Sequence, residues 1–208
     1  NAFVDYSTPE PSFDFDALID AAHFMTQCLN NVIDRNQYPN EESKRSNYRH
    51  RPIGIGIQGL ADLFCLLGLT YRSKDARDLA ADVAESVYYG AIRGSMELSR
   101  ATSAYSSFAG SHFAAGKFQH DLWGVSPSPR LRLDWETLRC QVKDYGVRNS
   151  LLTAYMPTKS TSRVLGNSQS FEPFSGAIER QRRQNSELVV VNTHLVYDLI
   201  KKGIWSPA

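Results

Sequence analysis

The sequence predicts an α/β fold, because apolar segments of strand length alternate with segments of helical periodicity. Residues 150–156 and 188–191 are largely apolar, a pattern typical of strands buried on both faces. In residues 53–57 isoleucine alternates with Gly54 and Gly56, which predicts a strand buried on its isoleucine side and open to close approach on its glycine side. We therefore expect a buried, largely parallel sheet covered by helices, although three strands are few for such a layer.

Helices are predicted from apolar residues at three- and four-residue steps and from the residues that cap or end each segment. The first predicted helix runs from Asp14 to near Asn36, and the second runs from Gln58 to Leu67 and is ended by Gly68. The longest is capped by Ser73, and the next is capped by Asp134 and ended by Gly146. The last is capped by Asn192 or Thr193, runs through Lys202 and is closed by Gly203. The longest helix carries Tyr88 and Tyr89. Neighbouring side chains on a helix point about 100° apart, so we interpret both tyrosines as packing residues.

Residues 102–132 are rich in Ser, Gly, Pro and aromatic residues. This stretch is too apolar for a disordered linker, and we expect residues 117–123 to pack onto the body of the protein. His120 and Asp121 are neighbours, but no second ligand pair stands at a suitable spacing. Neither a metal site nor a catalytic dyad is therefore predicted there.

Composition and charge indicate an ordinary globular protein. The chain has 208 residues, 42% of them hydrophobic, and a formal net charge of +1, so no long-range attraction to nucleic acid or to a membrane is expected. No apolar run approaches the roughly 20 residues that cross a bilayer, and we expect a cytosolic or nuclear setting, with the cytoplasm as the default. The three cysteines, Cys28, Cys65 and Cys140, are widely spaced and are interpreted as small buried residues rather than as a disulfide framework or a zinc site.

A basic segment lies at residues 44–51 (KRSNYRHR). Such a cluster with an interleaved tyrosine can contact RNA or phosphate. More often it forms a solvated face or pairs with acidic groups elsewhere in the fold, and we favour this structural interpretation.

The segment from Ser150 to Asn167 carries the main functional hypothesis. An apolar run is stopped by Pro157, a hydroxyl-rich turn follows, and a short helix ends at Gly166. The first amides of a helix have no partner inside it and lie at the positive end of the helix dipole. Ser160 and Thr161 can cap this helix or share a phosphate with its amides, and Lys159 adds a positive charge. The alternative is a plain strand-to-helix turn with an ordinary Ser/Thr cap.

Four stretches, in this order and at this spacing, resemble the large (catalytic) subunit of class I ribonucleotide reductase. They are residues 49–62 (RHRPIGIGIQGLAD), 117–123 (KFQHDLW), 145–152 (YGVRNSLL) and 156–161 (MPTKST). Each stretch alone is weak, whereas the ordered set is specific. The resemblance runs from the helix that begins at Asp14 to Trp205.

The resemblance implies that residues 1–208 belong to the later part of a ten-stranded α/β barrel with several long helices. It also implies a parent enzyme that reduces ribonucleoside diphosphates to deoxyribonucleoside diphosphates by thiyl-radical chemistry. In that family the loop that matches Thr158, Lys159, Ser160 and Thr161 holds the substrate diphosphate through amides and hydroxyls. Lys159 departs from the family pattern, in which we expect a small or acidic residue.

The resemblance further implies which parts of the parent lie outside this chain. The radical-bearing cysteine in an Asn-x-Cys-x-Glu finger loop, the redox cysteine pair and the ATP cone are expected upstream, and a tyrosine pair and a cysteine-containing tail downstream. No catalytic residue and no metal ligand is therefore assigned within this chain, and we expect no turnover from the chain by itself. The implied cofactors and partners of the parent are ATP and dNTP effectors, a radical-supplying small subunit, a thioredoxin- or glutaredoxin-type reductant, and further copies of the large subunit as a homodimer or higher oligomer.

Two rival functions remain at this stage. A reductase-like protein that has lost its chemistry would act through protein–protein binding, and it need not keep the upstream Asn-x-Cys-x-Glu segment. An RNA-binding module would use residues 44–51 and bind with strong salt dependence. The net charge near zero argues against the second. A few strands cut from a barrel would also expose sheet edges, so the chain alone is expected to aggregate or to fold only with its parent.

Overall fold

The computed structural model describes residues 3–5, 11–183 and 186–205. Within these ranges the helices are α1 (Phe15–Arg35), α2 (Glu41–His50), α3 (Leu60–Leu66), α4 (Lys74–Ala101), α5 (Gln119–Trp123), α6 (Trp135–Tyr145), α7 (Lys159–Leu165) and α8 (Thr193–Lys201), with a 3₁₀ turn at Phe108–Gly110. The strands are β1 (Val4–Asp5), β2 (Ser12–Phe13), β3 (Ile178–Arg183) and β4 (Ser186–Val191). The chain divides into a larger unit, Phe13–Gly56 with Asp78–Met156, and a smaller unit, Asn1–Ser12 with Ile57–Arg77 and Pro157–Ala208.

The helix ends follow the capping residues that the sequence predicts. Asp14 Oδ1 accepts a hydrogen bond of 2.9 Å from the Ala17 amide at the start of α1, and Ser73 Oγ accepts one of 3.1 Å from Ala76 in α4. Asp134 and Asn192 do the same for α6 and α8. These predictions are confirmed because a cap requires only residues three positions apart.

The core of the larger unit lies between α4, α6 and the stretch before α5. Phe118 is fully buried and His120 packs on Trp135. The prediction that residues 117–123 pack onto the body is confirmed for these two residues, whereas Leu122 and Trp123 are exposed. Tyr88 and Tyr89 both contact Trp135, with ring centroids 6.1 and 5.0 Å apart, and this confirms their packing role. The buried residues of this core are Ala91, Ile92, Met96, Tyr105, Phe118, Trp135, Leu138, Val142, Val147 and Leu152.

Two extended segments meet beside this core. The Ile55 amide donates to the Leu152 carbonyl at 2.9 Å, the Ala154 amide donates to the Ile55 carbonyl at 3.0 Å, and Ile55 and Thr153 form a parallel bridge. A Cβ added to Gly54 would lie 2.9 Å from the Ala154 Cβ, so the predicted close approach on the glycine side is confirmed. The segments form a single bridge rather than the full strands that the apolar runs predicted.

The smaller unit contains α3, α7, α8 and a β-hairpin. Strands β3 and β4 are antiparallel, with Ile178 opposite Val191 and Arg183 opposite Ser186. The predicted buried strand at residues 188–191 is therefore half of a hairpin, and Val189 is 56% exposed. The prediction of a buried parallel strand was wrong here because an apolar run does not specify its pairing partner.

The fold class is accordingly a helix-rich α/β structure. Across the described ranges the strands form two-stranded sheets, and no closed barrel is present. The β3–β4 pairing is antiparallel, and the Ile55–Thr153 bridge is a single parallel pair. The prediction of a largely parallel sheet is thus not met by these residues. No described helix is both long and apolar enough to span a membrane.

Candidate functional site

The predicted phosphate loop forms the start of α7. Thr158 occupies the N-cap position in the left-handed region, with φ 50° and ψ 28°, and its side chain does not cap the helix. The first bond of the helix runs from the Ser162 amide to the Thr158 carbonyl at 2.9 Å. The amides of Lys159, Ser160 and Thr161 therefore precede the first intrahelical bond and have no acceptor inside α7.

This geometry corrects one part of the prediction. Ser160 and Thr161 were expected to be able to cap the helix, but both lie inside its first turn, one and two residues after its start. The Thr161 hydroxyl instead donates a long bond of 3.3 Å to the Thr158 carbonyl. The physical reason is that the cap position falls on Thr158, directly after Pro157. The Thr158 backbone is left-handed rather than extended as in an ordinary N-cap, and its hydroxyl accepts from the Ser170 amide instead.

In α1, α2, α4, α6 and α8 the third amide donates a hydrogen bond to the side chain of the capping residue. Asp14, Asn40, Ser73, Asp134 and Asn192 each accept from the amide three residues later. In α7 the corresponding amide is that of Thr161, and no side-chain cap is present. Lys159, Ser160 and Thr161 are exposed, so a solvent ion or ligand can reach these amides.

The hydroxyl of Thr158 is used to hold the loop. Thr158 Oγ1 accepts a bond of 2.9 Å from the Ser170 amide. The same segment is fixed at Ser168, whose carbonyl accepts from the Gly59 amide at 3.0 Å and whose amide donates to Asp62 Oδ2 at 2.6 Å. The segment 168–170 therefore connects the cap residue of α7 to the start of α3.

Asp62 is a buried carboxylate, only 5% exposed, and its second oxygen lies 2.8 Å from His194 Nε2 on α8. Burial by itself would raise the pKa of Asp62, but the hydrogen bonding from Ser168 and the contact with His194 outweigh it and hold the pKa below its ordinary value. The carboxylate is thus charged at neutral pH and satisfied on both oxygens.

Asp62 and His194 were not predicted as site residues from the sequence. The only local indication was a carboxylate in the middle of an otherwise apolar helical segment, residues 60–67, because charged residues are seldom buried without a partner. Its partners stand 106 and 132 residues away along the chain, and no periodicity connects them.

The basic segment at residues 44–51 forms most of α2 and its C-cap. Arg51 is 2% exposed; it pairs with both carboxylate oxygens of Asp34 at 2.8 and 2.7 Å and donates to Asn30 Oδ1. The Asn149 side chain in turn donates to the Arg51 carbonyl at 3.0 Å. Arg51 therefore has the structural role that we favoured, joining α1 to the segment that precedes the parallel bridge.

His120 and Asp121 form no catalytic arrangement with each other. Asp121 pairs with Arg139 at 2.7 Å, and the His120 Nε2 atom lies 3.8 Å from Asp121 Oδ1, too far for a hydrogen bond. In the parts of the chain that the structure describes, no group of three or more His, Cys, Asp or Glu residues could hold a metal ion.

The cysteine prediction was wrong in part. All three cysteines are free, Cys28 is partly buried, and Cys65 and Cys140 are exposed. Cys140 follows the buried Leu138 by two positions, and two positions on a helix rotate a side chain by about 200°, onto the opposite face.

The fold and the loop define a helix-rich α/β protein in which a short helix presents unbonded amides next to hydroxyl side chains. A sequence model of the family described as "Ribonucleotide reductase, barrel domain" matches residues 1–208. The chain therefore belongs to this family, and the resemblance that the four motifs predicted is confirmed.

Curated relatives carry names that agree with this family. A "Ribonucleoside-diphosphate reductase large subunit" of Caenorhabditis elegans is 44% identical, and the alignment covers 97% of this chain and 25% of the relative. Proteins of the same name from Arabidopsis thaliana and Variola virus (isolate Human/India/Ind3/1967) are 48% and 44% identical, over 94% and 93% of this chain and 24% and 25% of each relative. The chain thus spans about a quarter of the length of the curated relatives that it matches.

Proposed function

We propose that this chain is part of the large subunit of a ribonucleoside-diphosphate reductase, an oxidoreductase that reduces ribonucleoside diphosphates to deoxyribonucleoside diphosphates by thiyl-radical chemistry. The observation that carries the proposal is the family match over the whole chain, supported by relatives of that name at 44% and 48% identity. The proposed location is the cytoplasm. The proposed partners of the large subunit are a radical-supplying small subunit, a thioredoxin- or glutaredoxin-type reductant and further copies of the large subunit. ATP and dNTPs are the proposed effectors. The chain is proposed to be one part of the barrel domain, with the ATP cone and the finger loop elsewhere in the parent.

Within the parent, the proposed role of Thr158, Lys159, Ser160 and Thr161 is to bind the diphosphate of the substrate. Three features support this role: the amides of the first turn of α7 lack partners inside the helix, Ser160 adds a hydroxyl donor, and Lys159 adds a positive charge. The proposed contribution of Thr161 is its amide, because its hydroxyl donates to the Thr158 carbonyl. Asp62 accepts a hydrogen bond from the Ser168 amide, and Thr158 accepts one from the Ser170 amide, so the segment 168–170 links Asp62 to the loop. Holding the diphosphate would locate the ribose for the radical step, because positioning supplies a large part of catalysis.

The first test is an activity assay of the full-length protein with its small subunit and a dithiol reductant. We expect conversion of a ribonucleoside diphosphate to the deoxyribonucleoside diphosphate. An intact full-length protein that binds the small subunit but never reduces any ribonucleoside diphosphate would contradict the proposed function.

The second test measures whether the side chains of the loop contribute to substrate binding in an active enzyme. Ser160→Ala removes one hydroxyl donor to a charged phosphate, worth about 1.5–3 kcal/mol, and should raise the KM for the diphosphate about tenfold or more. Ser46→Ala, at an exposed position of α2, is the matched control and should leave the KM unchanged. Lys159→Ala, compared with Lys202→Ala at the end of α8, measures whether the lysine adds to phosphate binding. If the enzyme is active and neither Ser160→Ala nor Lys159→Ala changes the KM, these two side chains do not bind the diphosphate.

A further inference from the structure

A cavity lies within the larger unit, and none of residues 158–161 lines it. It has a volume of about 640 Å³, within the range of small-molecule sites, and its walls are mostly apolar. The cavity lies between the first half of α4, helix α5 and the segment 125–130, with Tyr155 also at its wall. We call it the α4–α5 cavity.

Three buried polar atoms at this cavity have no hydrogen-bond partner among the described residues: Asp82 Oδ1, His120 Nε2 and Ser128 Oγ. The Asp82 residue is 4% exposed, and its other carboxylate oxygen lies 2.9 Å from Arg130. Buried polar groups in native proteins are nearly always paired, because an unmade bond costs the desolvation of the group. Three unpaired atoms around one cavity indicate that the cavity is built to receive a ligand that supplies their partners.

The residues around these three atoms make hydrogen bonds or ring contacts with one another. The two Glu85 oxygens accept from the Ser128 amide at 2.8 Å and from the Trp135 indole at 2.9 Å. The Tyr88 hydroxyl accepts from the Gln119 amide at 3.2 Å, and the His120 ring packs on Trp135 with 4.6 Å between ring centroids. The residues that carry the unpaired atoms are therefore held in place by hydrogen bonds and ring packing with their neighbours.

The charges of the residues that line the cavity indicate the charge of the ligand that it can bind. Three carboxylates, Asp78, Asp82 and Glu85, face one guanidinium, that of Arg130, which leaves an excess of two negative charges. Burial lowers the pKa of His120, so the imidazole adds no positive charge at neutral pH. A carboxylate oxygen can only accept a hydrogen bond, and Asp82 Oδ1 therefore requires a donor.

The apolar part of the ligand is indicated by aromatic side chains. Tyr88, Trp123 and Tyr155 all line the cavity, and aromatic faces attract both flat apolar groups and cations. We propose that the α4–α5 cavity binds a small organic cation, an aromatic body that carries a primary ammonium group, with the ammonium donating to Asp82 Oδ1 and the body lying among the three aromatic side chains. This site goes beyond the proposed reductase function and does not depend on it.

The test uses three probes with one indole body and different head groups: tryptamine, tryptophol and indole-3-acetate. Binding to the full-length protein is measured by calorimetry, which needs no enzyme activity. Tryptamine should bind at least about tenfold more tightly than tryptophol, because it adds a charge-assisted bond to a buried carboxylate, and indole-3-acetate should not bind. No binding of tryptamine at millimolar concentration, or equal binding of tryptamine and indole-3-acetate, would overturn the proposal.

Variants then assign the binding to the cavity. Asp82→Asn should abolish the preference for tryptamine over tryptophol, whereas Asp16→Asn, the same change at an exposed position of α1, should preserve it. Trp123→Ala removes a side chain that is 72% exposed and should weaken tryptamine and tryptophol alike. Should Asp82→Asn fail to fold, Trp123→Ala still decides the location, since unchanged binding of both probes would place them elsewhere and contradict the proposal.

Discussion

The substitution Thr161→Pro tests whether an amide of α7 binds the substrate diphosphate. Proline deletes the N–H of Thr161 and is tolerated in the first turn of a helix. The structure shows why no helical bond is lost: the bonding of α7 begins at Ser162, whose amide donates to the Thr158 carbonyl at 2.9 Å. The substitution therefore removes the proposed donor to the diphosphate and leaves the backbone hydrogen bonds within α7 intact.

The expected size of the effect follows from the kind of bond. One charge-assisted hydrogen bond contributes about 1.5–3 kcal/mol, and its low end corresponds to about a tenfold change in an equilibrium constant. The residue before a proline is pushed away from helical geometry, so part of any loss would come from Ser160. We take the low end and expect the KM for a ribonucleoside diphosphate to rise about tenfold.

The assay is steady-state reduction by the full-length large subunit with its small subunit, with the KM and kcat determined separately. Thr161→Ala is the matched control, since it keeps the N–H and removes only a hydroxyl whose bond to the Thr158 carbonyl is long, at 3.3 Å. Thermal melting of both variants verifies that they fold. A KM for Thr161→Pro within twofold of that for Thr161→Ala would refute the role of this amide.

Three further predictions concern stability and pH. Arg51→Ala should destabilise the protein by about 3 kcal/mol in denaturant unfolding, at the low end of the cost of breaking a buried pair, because its partner Asp34 is 45% exposed. Gly90→Ala should cost about 1–3 kcal/mol by overpacking in the same measurement, because the added Cβ would overlap the Ile19 carbonyl oxygen. The pKa of Asp62 is lowered from its ordinary value. Its charged form therefore contributes stability that is fully present above the ordinary pKa of an aspartate, about 3.9, and is lost as the pH falls through the lowered pKa. The melting temperature of Asp62→Asn should lie below that of the wild type near pH 6, and the gap should narrow as the pH falls below about 3.9.

Each of these predictions has a comparison that can contradict it. Arg45→Ala, on the exposed side of α2, should change the unfolding free energy by no more than about 0.5 kcal/mol, and an equal loss in both arginine variants would argue against the buried network. Gly110→Ala adds a Cβ into open space and should be tolerated. A gap in melting temperature that stays constant from pH 6 to pH 3 would show that the charge of Asp62 is not what stabilises the smaller unit.

Local features of the sequence were sufficient for most of the described helices, although not for α2 or α5, and for the position of the candidate loop. Asp14, Ser73, Asp134 and Asn192 cap the helices that they were predicted to cap, because capping joins residues three positions apart. The glycine at position 54 meets Ala154 as the alternation with isoleucine predicted. The four ordered motifs identified the family, which the match over residues 1–208 confirms.

Tertiary structure decided what depends on residues far apart in the chain. The apolar run at 188–191 pairs with β3 in an antiparallel hairpin, since hydrophobicity predicts burial but does not specify a partner or a direction. Arg51 is a buried structural residue bonded to Asp34 and Asn30. Asp62 is bonded to His194 and holds the segment next to the candidate loop through Ser168. The sequence by itself therefore determined the local conformations and the family, because both depend on short-range patterns. Only the folded chain determined which charges are buried and which polar atoms are left without partners, because burial and pairing depend on every segment that packs around them.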